Sequence, residues 1–326
     1  MKALTPSPEL VARFRADLEA LVGPPSRLGI AVSGGPDSLA LLLLAAAAYP
    51  GRVVAATVDH GLRPESGWEA LHVEDICARV SCPHSILSVR VPEGRSGLQA
   101  QARRARYGAL TGWAGDADIP LLATAHHQDD QAETILMRLA RGSGIAGLSG
   151  IRPVRREATV SVVRPLLGWT KAELVHLVAL SGIEPVDDPS NRDGRFDRTA
   201  ARGMLAANPM LDPGRLARSA SAAREAEEAL EWATVQLLED RLTTQGGEWR
   251  FDPDGLPPAL QRRLLVRILA QVREAHGLPD ITSSGPEQDR LLGELESGAT
   301  ATLAGVMARG GAVWRFRLAP PRRGAA

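Results

Sequence analysis

Six small or polar residues in a row, Ser33-Gly34-Gly35-Pro36-Asp37-Ser38, follow a short apolar run and open an apolar, helix-like one. Small residues let backbone come close to a phosphate, and the free amides of a helix N-terminus supply donors and a favourable dipole. Ser33 and Ser38 add hydroxyl donors. Asp37 has the wrong charge for that company unless a cation stands between it and the phosphates, which points to Mg²⁺ bridging the carboxylate and a polyphosphate. The run is not a Walker A loop, which needs G-x-x-x-x-G-K-S/T, nor a G-x-G-x-x-G dinucleotide turn. The plain alternative is a glycine turn with a Ser or Asp cap.

Two further runs carry ionisable groups where apolar segments end. One is Val58-Asp59-His60-Gly61-Leu62-Arg63. The other is Ala125-His126-His127-Gln128-Asp129-Asp130-Gln131-Ala132-Glu133-Thr134. His126, His127, Asp129, Asp130 and Glu133 read alone as a transition-metal site. Asp130 and Glu133, three apart and on one helix face, suit Mg²⁺ or an ammonium group better. The simpler alternative is that Asp129 and Asp130 only cap this helix.

The elements that must place these groups alternate in type. Strands are expected at 28–32, 53–58, 85–89 and 121–125, with helices at 36–48, 68–79, 98–113 and 128–141 between and after them. Such alternation implies a parallel sheet covered on both faces, with ligands at the carboxyl ends of the strands. A short strand at 159–163 precedes a helix at 170–180, with Thr170 and Glu173 as a capping box. Asp212-Pro213 opens a long helix to about Leu242, and 258–275 forms another. A hairpin of 302–307 and 312–318 turns around Arg309-Gly310-Gly311. The domain boundary is expected near residue 210.

Composition narrows the class. Hydrophobic residues at 44% and charged residues at 23% of 326 are those of a folded globular protein. Cys77 and Cys82 are too few for a disulfide framework and lack C-x-x-C spacing, so two buried thiols in a reducing cytoplasm are expected. The N-terminus lacks the apolar core of a secretory signal, and the run from Leu39 to Tyr49 is too short to span a bilayer. Net charge is zero, but its distribution is uneven. From Arg138 to Lys171 there are six Arg and one Lys against one Glu, and from Arg192 to Arg224 seven Arg against three Asp. Lys2 and Lys171 are the only lysines. Guanidinium suits bidentate phosphate contacts and base stacking, although a GC-rich genome gives the same bias.

The loop at 33–38 resembles the pyrophosphate-binding loop of N-type ATP pyrophosphatases. Joined in order with V-D-H-G-L-R, A-H-H-x-D-D-Q-A-E-T and the R-G-S-G-x-x-G-L of Arg141 to Leu148, it resembles the tRNA(Ile)-lysidine synthase family. Ala102-Arg103 with Arg106-Tyr107, Arg164-Pro165-Leu166-Leu167, and Asp187-Asp188-Pro189-Ser190-Asn191 followed by Arg198 extend the likeness over roughly residues 28–205. After Arg198 this chain carries Thr199-Ala200, where relatives often have Asn.

The resemblance implies an α/β nucleotide-binding domain of the adenine nucleotide alpha-hydrolase type over 1–210. A mainly helical tRNA-specificity domain with a C-terminal hairpin would follow over 211–326. It implies ATP and Mg²⁺ as cofactors, with L-lysine and tRNA(Ile) carrying a CAU anticodon as substrates. Ser33, Gly34, Gly35, Pro36, Asp37, Ser38, Asp59, His60 and His127 would contact the nucleotide, and Asp37 and Asp130 the metal. Asp37, Asp130, Glu133 and Arg103 would act in catalysis, and Arg106, Arg141, Arg198 and Arg202 on substrate or tRNA. Two other readings remain. A tRNA thiolase of the same loop type needs cysteines for a cluster or persulfide, and a non-catalytic RNA-binding protein would keep a relict loop. The sequence carries no signal of oligomeric state.

Overall fold

Residues 36–48 are apolar on every side of a helix, so the helix they form must be enclosed. In the computed structural model, which describes residues 5–59, 61, 66–89, 98–157, 159–186, 197–279 and 284–320, this is α2 (Pro36–Ala48), with Leu39 through Ala45 buried. It packs between α1 (Pro8–Val22) and α7 (Lys171–Ser181) and over one face of a six-stranded sheet. The opposite face carries α4 (Leu98–Asp116), whose Tyr107, Leu110 and Ala114 join Ile119, Leu122, Val160 and Val162 in a second buried layer.

The strands are β1 (Leu28–Ala31), β2 (Val53–Asp59), β3 (His84–Ser88), β4 (Leu121–Ala123), β5 (Val154–Glu157) and β6 (Val160–Val163), in the order β3-β2-β1-β4-β6-β5. All pairings are parallel except β5 with β6. α3 (Ser66–Arg79) lies between β2 and β3 in the chain, and α5 (Gln128–Ala140) follows β4. The chain order reverses between β1 and β4, so their carboxyl ends flank the crevice where such sheets bind ligands. The loop 33–38 leaves one and His126-His127 leave the other.

Past residue 150 the first sheet gains a strand not expected from the sequence. β5 is an antiparallel edge strand, and α8 (Asp197–Ala207) packs against α5. His60, Leu62, Arg63 and the segment Asp187 to Asn191 lie outside the described residues.

The chain divides into two compact units, 1–224 and 225–326, and the division falls inside the long helix α9 (Pro213–Arg241). Asp212 caps that helix through its Oδ1, which accepts the Arg215 amide at 2.8 Å. The second unit has its own core, in which α10 (Pro258–Ala275) and α11 (Gly285–Glu296) back a five-stranded antiparallel sheet. Its strands are β7 (Leu242–Gln245), β8 (Glu248–Phe251), β9 (Thr300–Leu303), β10 (Val306–Arg309) and β11 (Trp314–Leu318), in the order β7-β8-β11-β10-β9. The single strand expected over 302–307 is two strands, because Ala304 and Gly305 both take positive φ (52° and 79°). Two such residues make the tight turn whose twist matches a hairpin. Gly305 takes its positive φ at no steric cost, while Ala304 is the less usual partner in such a turn.

Candidate functional site: the crevice at the ends of β1 and β4

The loop after β1 is built to leave amides open. Gly34 takes φ +82°, and a Cβ there would lie 2.7 Å from Val186 Cγ2, so the position requires glycine on both counts. The Val186 amide donates to Gly34 O at 2.9 Å and ties the loop down. The Ser38 hydroxyl accepts from the Ser33 amide at 3.1 Å and donates to Gly35 O at 3.0 Å, so it braces the loop's curvature. Ser33 Oγ sits 3.2 Å from Ser38 Oγ. Gly35 is the N-cap of α2 and no side chain caps that helix, which leaves its first-turn donors and dipole facing the crevice.

Across the crevice, His127 is the N-cap of α5 and only 3% exposed. Its Nε2 lies 3.5 Å from Asp37 Oδ2 and 3.6 Å from Asp130 Oδ2, and its Nδ1 lies 3.6 Å from Asp129 Oδ2. Burial alone would lower this imidazole's pKa. The Asp129 and Asp37 carboxylates facing its ring nitrogens and the charge of Asp130 outweigh that, and raise it to about 10. The capping role expected for Asp130 is real, since its Oδ2 accepts the His127 amide at 3.1 Å. Asp129 instead accepts the Lys171 amide at 2.9 Å, while the Gln128 amide donates to Trp169 O. The starts of α5 and α7 are thereby locked together.

Asp37 Oδ1 is buried and has no hydrogen-bond partner among the described residues. An orphaned carboxylate oxygen beside a second carboxylate and an open helix N-terminus fits a hard divalent cation that also holds phosphate oxygens. Among the described residues no three His, Cys, Asp or Glu side chains group as a metal centre. A cation here would rely on Asp37, Asp130 and the phosphates themselves.

One turn along α5, Glu133 is 2% exposed. Its Oε1 accepts from Arg202 Nε at 2.9 Å, and its Oε2 lies 3.4 Å from Arg198 Nε. Arg198 also reaches Asp130 Oδ1 at 3.6 Å. Both arginines come from α8, so that helix brings its cations onto the acidic face of α5. Asp59, at the end of β2, accepts the Gly61 amide through Oδ1 at 2.8 Å.

On α4, the guanidiniums of Arg103 and Arg106 lie 5.0 and 5.6 Å from the centre of the Tyr107 ring, and that of Arg155 lies 5.4 Å from it. Arg164, only 4% exposed, donates to Arg152 O at 2.7 Å. Burial lowers the pKa of His126, and Arg164, Arg103 and Arg198 lower it further against the opposing charge of Asp130. Arg103, Arg164, Arg198 and Asp130 thus all act on this one imidazole. Burial also lowers the pKa of Arg106.

The site residues named from the sequence thus converge for Asp37, His127, Asp130, Glu133, Arg198 and Arg202, with the Arg103–Arg106 cluster close by. Two features escaped sequence reading. The Tyr107–Arg164 centre of the guanidinium cluster was visible only as family motifs, and the ion pairing of Arg198 and Arg202 with Glu133 depends on α8. Part of the arginine surplus serves the fold. Arg138 donates to Gly150 O at 2.9 Å and also to Gly147 O, anchoring the loop that contains Arg141 and Gly142.

Comparison with known proteins agrees with this geometry. Residues 10–208 match the family model described as a PP-loop domain, an ATP-using module. The tRNA(Ile)-lysidine synthase of Novosphingobium aromaticivorans is 45% identical over 318 residues, 96% of this chain and 94% of that protein. The tRNA(Ile)-lysidine synthase of Zymomonas mobilis is 41% identical over 317 residues, 95% of this chain and 94% of that protein. Among solved structures, the U34-tRNA thiolase of Methanococcus maripaludis shares the fold at TM-score 0.56 and 16% identity, over 68% of this chain and 79% of that one. Cys77 and Cys82 here are both buried and free. No helix among the described residues is long and apolar enough to cross a membrane. From the loop geometry, the PP-loop match and relatives aligned along nearly their whole length, the chain belongs to the tRNA(Ile)-lysidine synthase family.

Proposed function

We propose that the chain joins L-lysine to carbon 2 of the wobble cytidine of a tRNA(Ile) with a CAU anticodon, consuming ATP and releasing AMP and pyrophosphate. The observation that carries this reading is the pairing of an open helix N-terminus with the orphaned Asp37 oxygen, set against Asp130 and Glu133 across one crevice.

In the first half-reaction the cytidine O2 attacks the α-phosphorus and pyrophosphate leaves. The amides of the 34–38 loop hold the phosphate chain in line, and Arg103 neutralises charge on the oxygens. In the second, the lysine ε-nitrogen attacks carbon 2, and O2 departs with AMP. The nitrogen must first lose a proton. Asp130 and Glu133 present carboxylates that bind the ammonium form and accept that proton. Arg198 and Arg202 are their present partners, and an incoming ammonium would have to displace them. Mg²⁺, held by Asp37 and Asp130, would supply charge neutralisation for the polyphosphate. Arg106 and Arg141 are assigned to tRNA or substrate phosphates. The nucleotide chemistry is assigned to the N-terminal part, expected from sequence to end near 210, and tRNA selection to the part that follows. Cytoplasm is the compartment that supplies these substrates.

The test is incorporation of radiolabelled lysine into an unmodified tRNA(Ile) transcript with a CAU anticodon. ATP-dependent labelling, lost when the wobble cytidine is replaced, is the expected result. AMP and pyrophosphate without lysine transfer would move the assignment to another nucleophile. No ATP turnover at all would favour a binding protein with a relict loop.

A further inference from the structure

The outward face of the sheet in the second unit carries cations in direct register. Arg309 on β10 lies opposite Arg315 on β11, and Arg315 lies opposite Arg250 on β8. Arg317, two residues on from Arg315, sits opposite Met307. The row ends in threonines on both sides, Thr243 opposite Arg250 and Thr300 opposite Arg309. The alternate residues Phe251, Trp314, Phe316 and Ala308 face the core, so the arginine side is the solvent side.

Of these cations, Arg250 is satisfied locally, through Glu248 Oε2 at 2.9 Å and Gln245 Oε1 at 3.0 Å. Arg309, Arg315 and Arg317 are exposed and pair with no carboxylate among the described residues. The weak contact of Arg317 with Met307 Sδ is 3.5 Å long. Like charges directly opposite one another oppose strand pairing. Thr or Gln at these positions would serve the sheet better. The arrangement is therefore stable only at a cost that a polyanion would offset.

We propose that this face docks the sugar–phosphate backbone of RNA, and, on the functional reading above, that of the substrate tRNA. Neighbouring strands lie about 4.8 Å apart, and alternate residues along a strand about 7 Å apart. Three guanidiniums on long stems over that grid can meet successive phosphates of one strand, and Thr300 and Thr302 add hydroxyl donors. Arginine presents a planar fork that grips phosphate oxygens in pairs. A depression of about 180 Å³ between Glu248, Thr300, Met307, Arg309, Arg315 and Arg317 gives the backbone a seat. The face has almost no apolar surface, so it is poorly suited to a protein interface core or to a membrane.

The experiment is filter binding of the unmodified tRNA(Ile) transcript to the full chain across a salt series, with Arg309→Gln/Arg315→Gln/Arg317→Gln compared to the parent. Loss of three phosphate contacts should weaken binding about tenfold near physiological salt and flatten the log–log salt slope by about 2–3. The thermal midpoint should hold or rise. Should the triple variant fold poorly, Arg315→Gln alone is expected to remove about a third of the slope change. An unchanged affinity and slope would overturn the proposal and leave an acidic protein as the partner to seek. The two readings separate cleanly. A parent chain that binds RNA through these arginines yet transfers no lysine refutes the functional reading alone. A triple variant that transfers lysine and binds as the parent does refutes the surface alone.

Discussion

At the scale of single residues, the site rests on two demands that only particular side chains meet. On the proposed reading Asp37 works through a cation beside phosphates, and its buried Oδ1 lacks any partner among the described residues. Asp37→Asn should therefore lower adenylation on the order of 10²-fold or more while leaving tRNA binding within a few fold. Pyrophosphate exchange and filter binding, run side by side, check this, and near-parental exchange would remove Asp37 from the metal role. Gly34 has the opposite character, since its contribution is the absence of a Cβ. Gly34→Ala meets both a positive φ and Val186, whose Cγ2 and Cβ would lie 2.7 and 3.2 Å from the new Cβ. It should cost about 1–3 kcal/mol of stability and weaken ATP binding at least tenfold. Calorimetry would show the error if affinity were retained.

At the scale of elements, the start of α7 is a junction. Thr170 and Glu173 form the capping box read from the sequence, with the Thr170 amide donating to Glu173 Oε2 at 2.7 Å and the Glu173 amide to Thr170 Oγ1 at 3.2 Å. Tertiary structure adds Arg13, whose guanidinium donates to Glu173 Oε1 at 2.7 Å and stacks over Trp169. Burial works to raise the Glu173 pKa, but these hydrogen bonds and the Arg13 charge hold it below the ordinary 4.5. A carboxylate with a lowered folded pKa stabilises fully above its unfolded value, and that contribution disappears as pH falls through the folded one. Glu173→Gln should then cost about 0.5–1 kcal/mol at pH 7, solvent screening of the half-exposed pair included, with the difference closing as pH falls below 4.5 and through the lowered folded value. Urea melts at both pH values decide it, and a pH-independent difference would mean that packing, not charge, is lost.

At the scale of the molecule, each unit is organised around its own apolar core, and the crevice belongs wholly to the first. Ile268 is fully buried in the second unit's core. Ile268→Ala should destabilise that core by about 2–5 kcal/mol and leave nucleotide affinity within twofold. Hydrogen exchange resolved along the chain, with a parallel ATP titration, tests both halves. A fall in nucleotide affinity would show that the units are energetically coupled.

What could be read from the sequence follows from the range of the forces involved. α2 and α10 span the residues expected, because an unbroken apolar helix and a Pro-started amphipathic one are decided by local periodicity. The Ser33–Ser38 loop and the His127–Glu133 run were likewise visible, since tight backbone approach and one helix face are local properties. Their meeting across the crevice followed from the rule for parallel sheets. The antiparallel edge β5, the strands β7 and β8 and the clamp of Arg198 and Arg202 on Glu133 were not visible. Edge strands carry weak patterns, and an ion pair 69 positions apart has no local signature. The sequence by itself thus named the groups proposed for the chemistry and the strand ends that carry them. Only the tertiary structure decided which cations neutralise which carboxylates, and which sheet face is left bare and charged, because both depend on contacts between segments far apart in the chain.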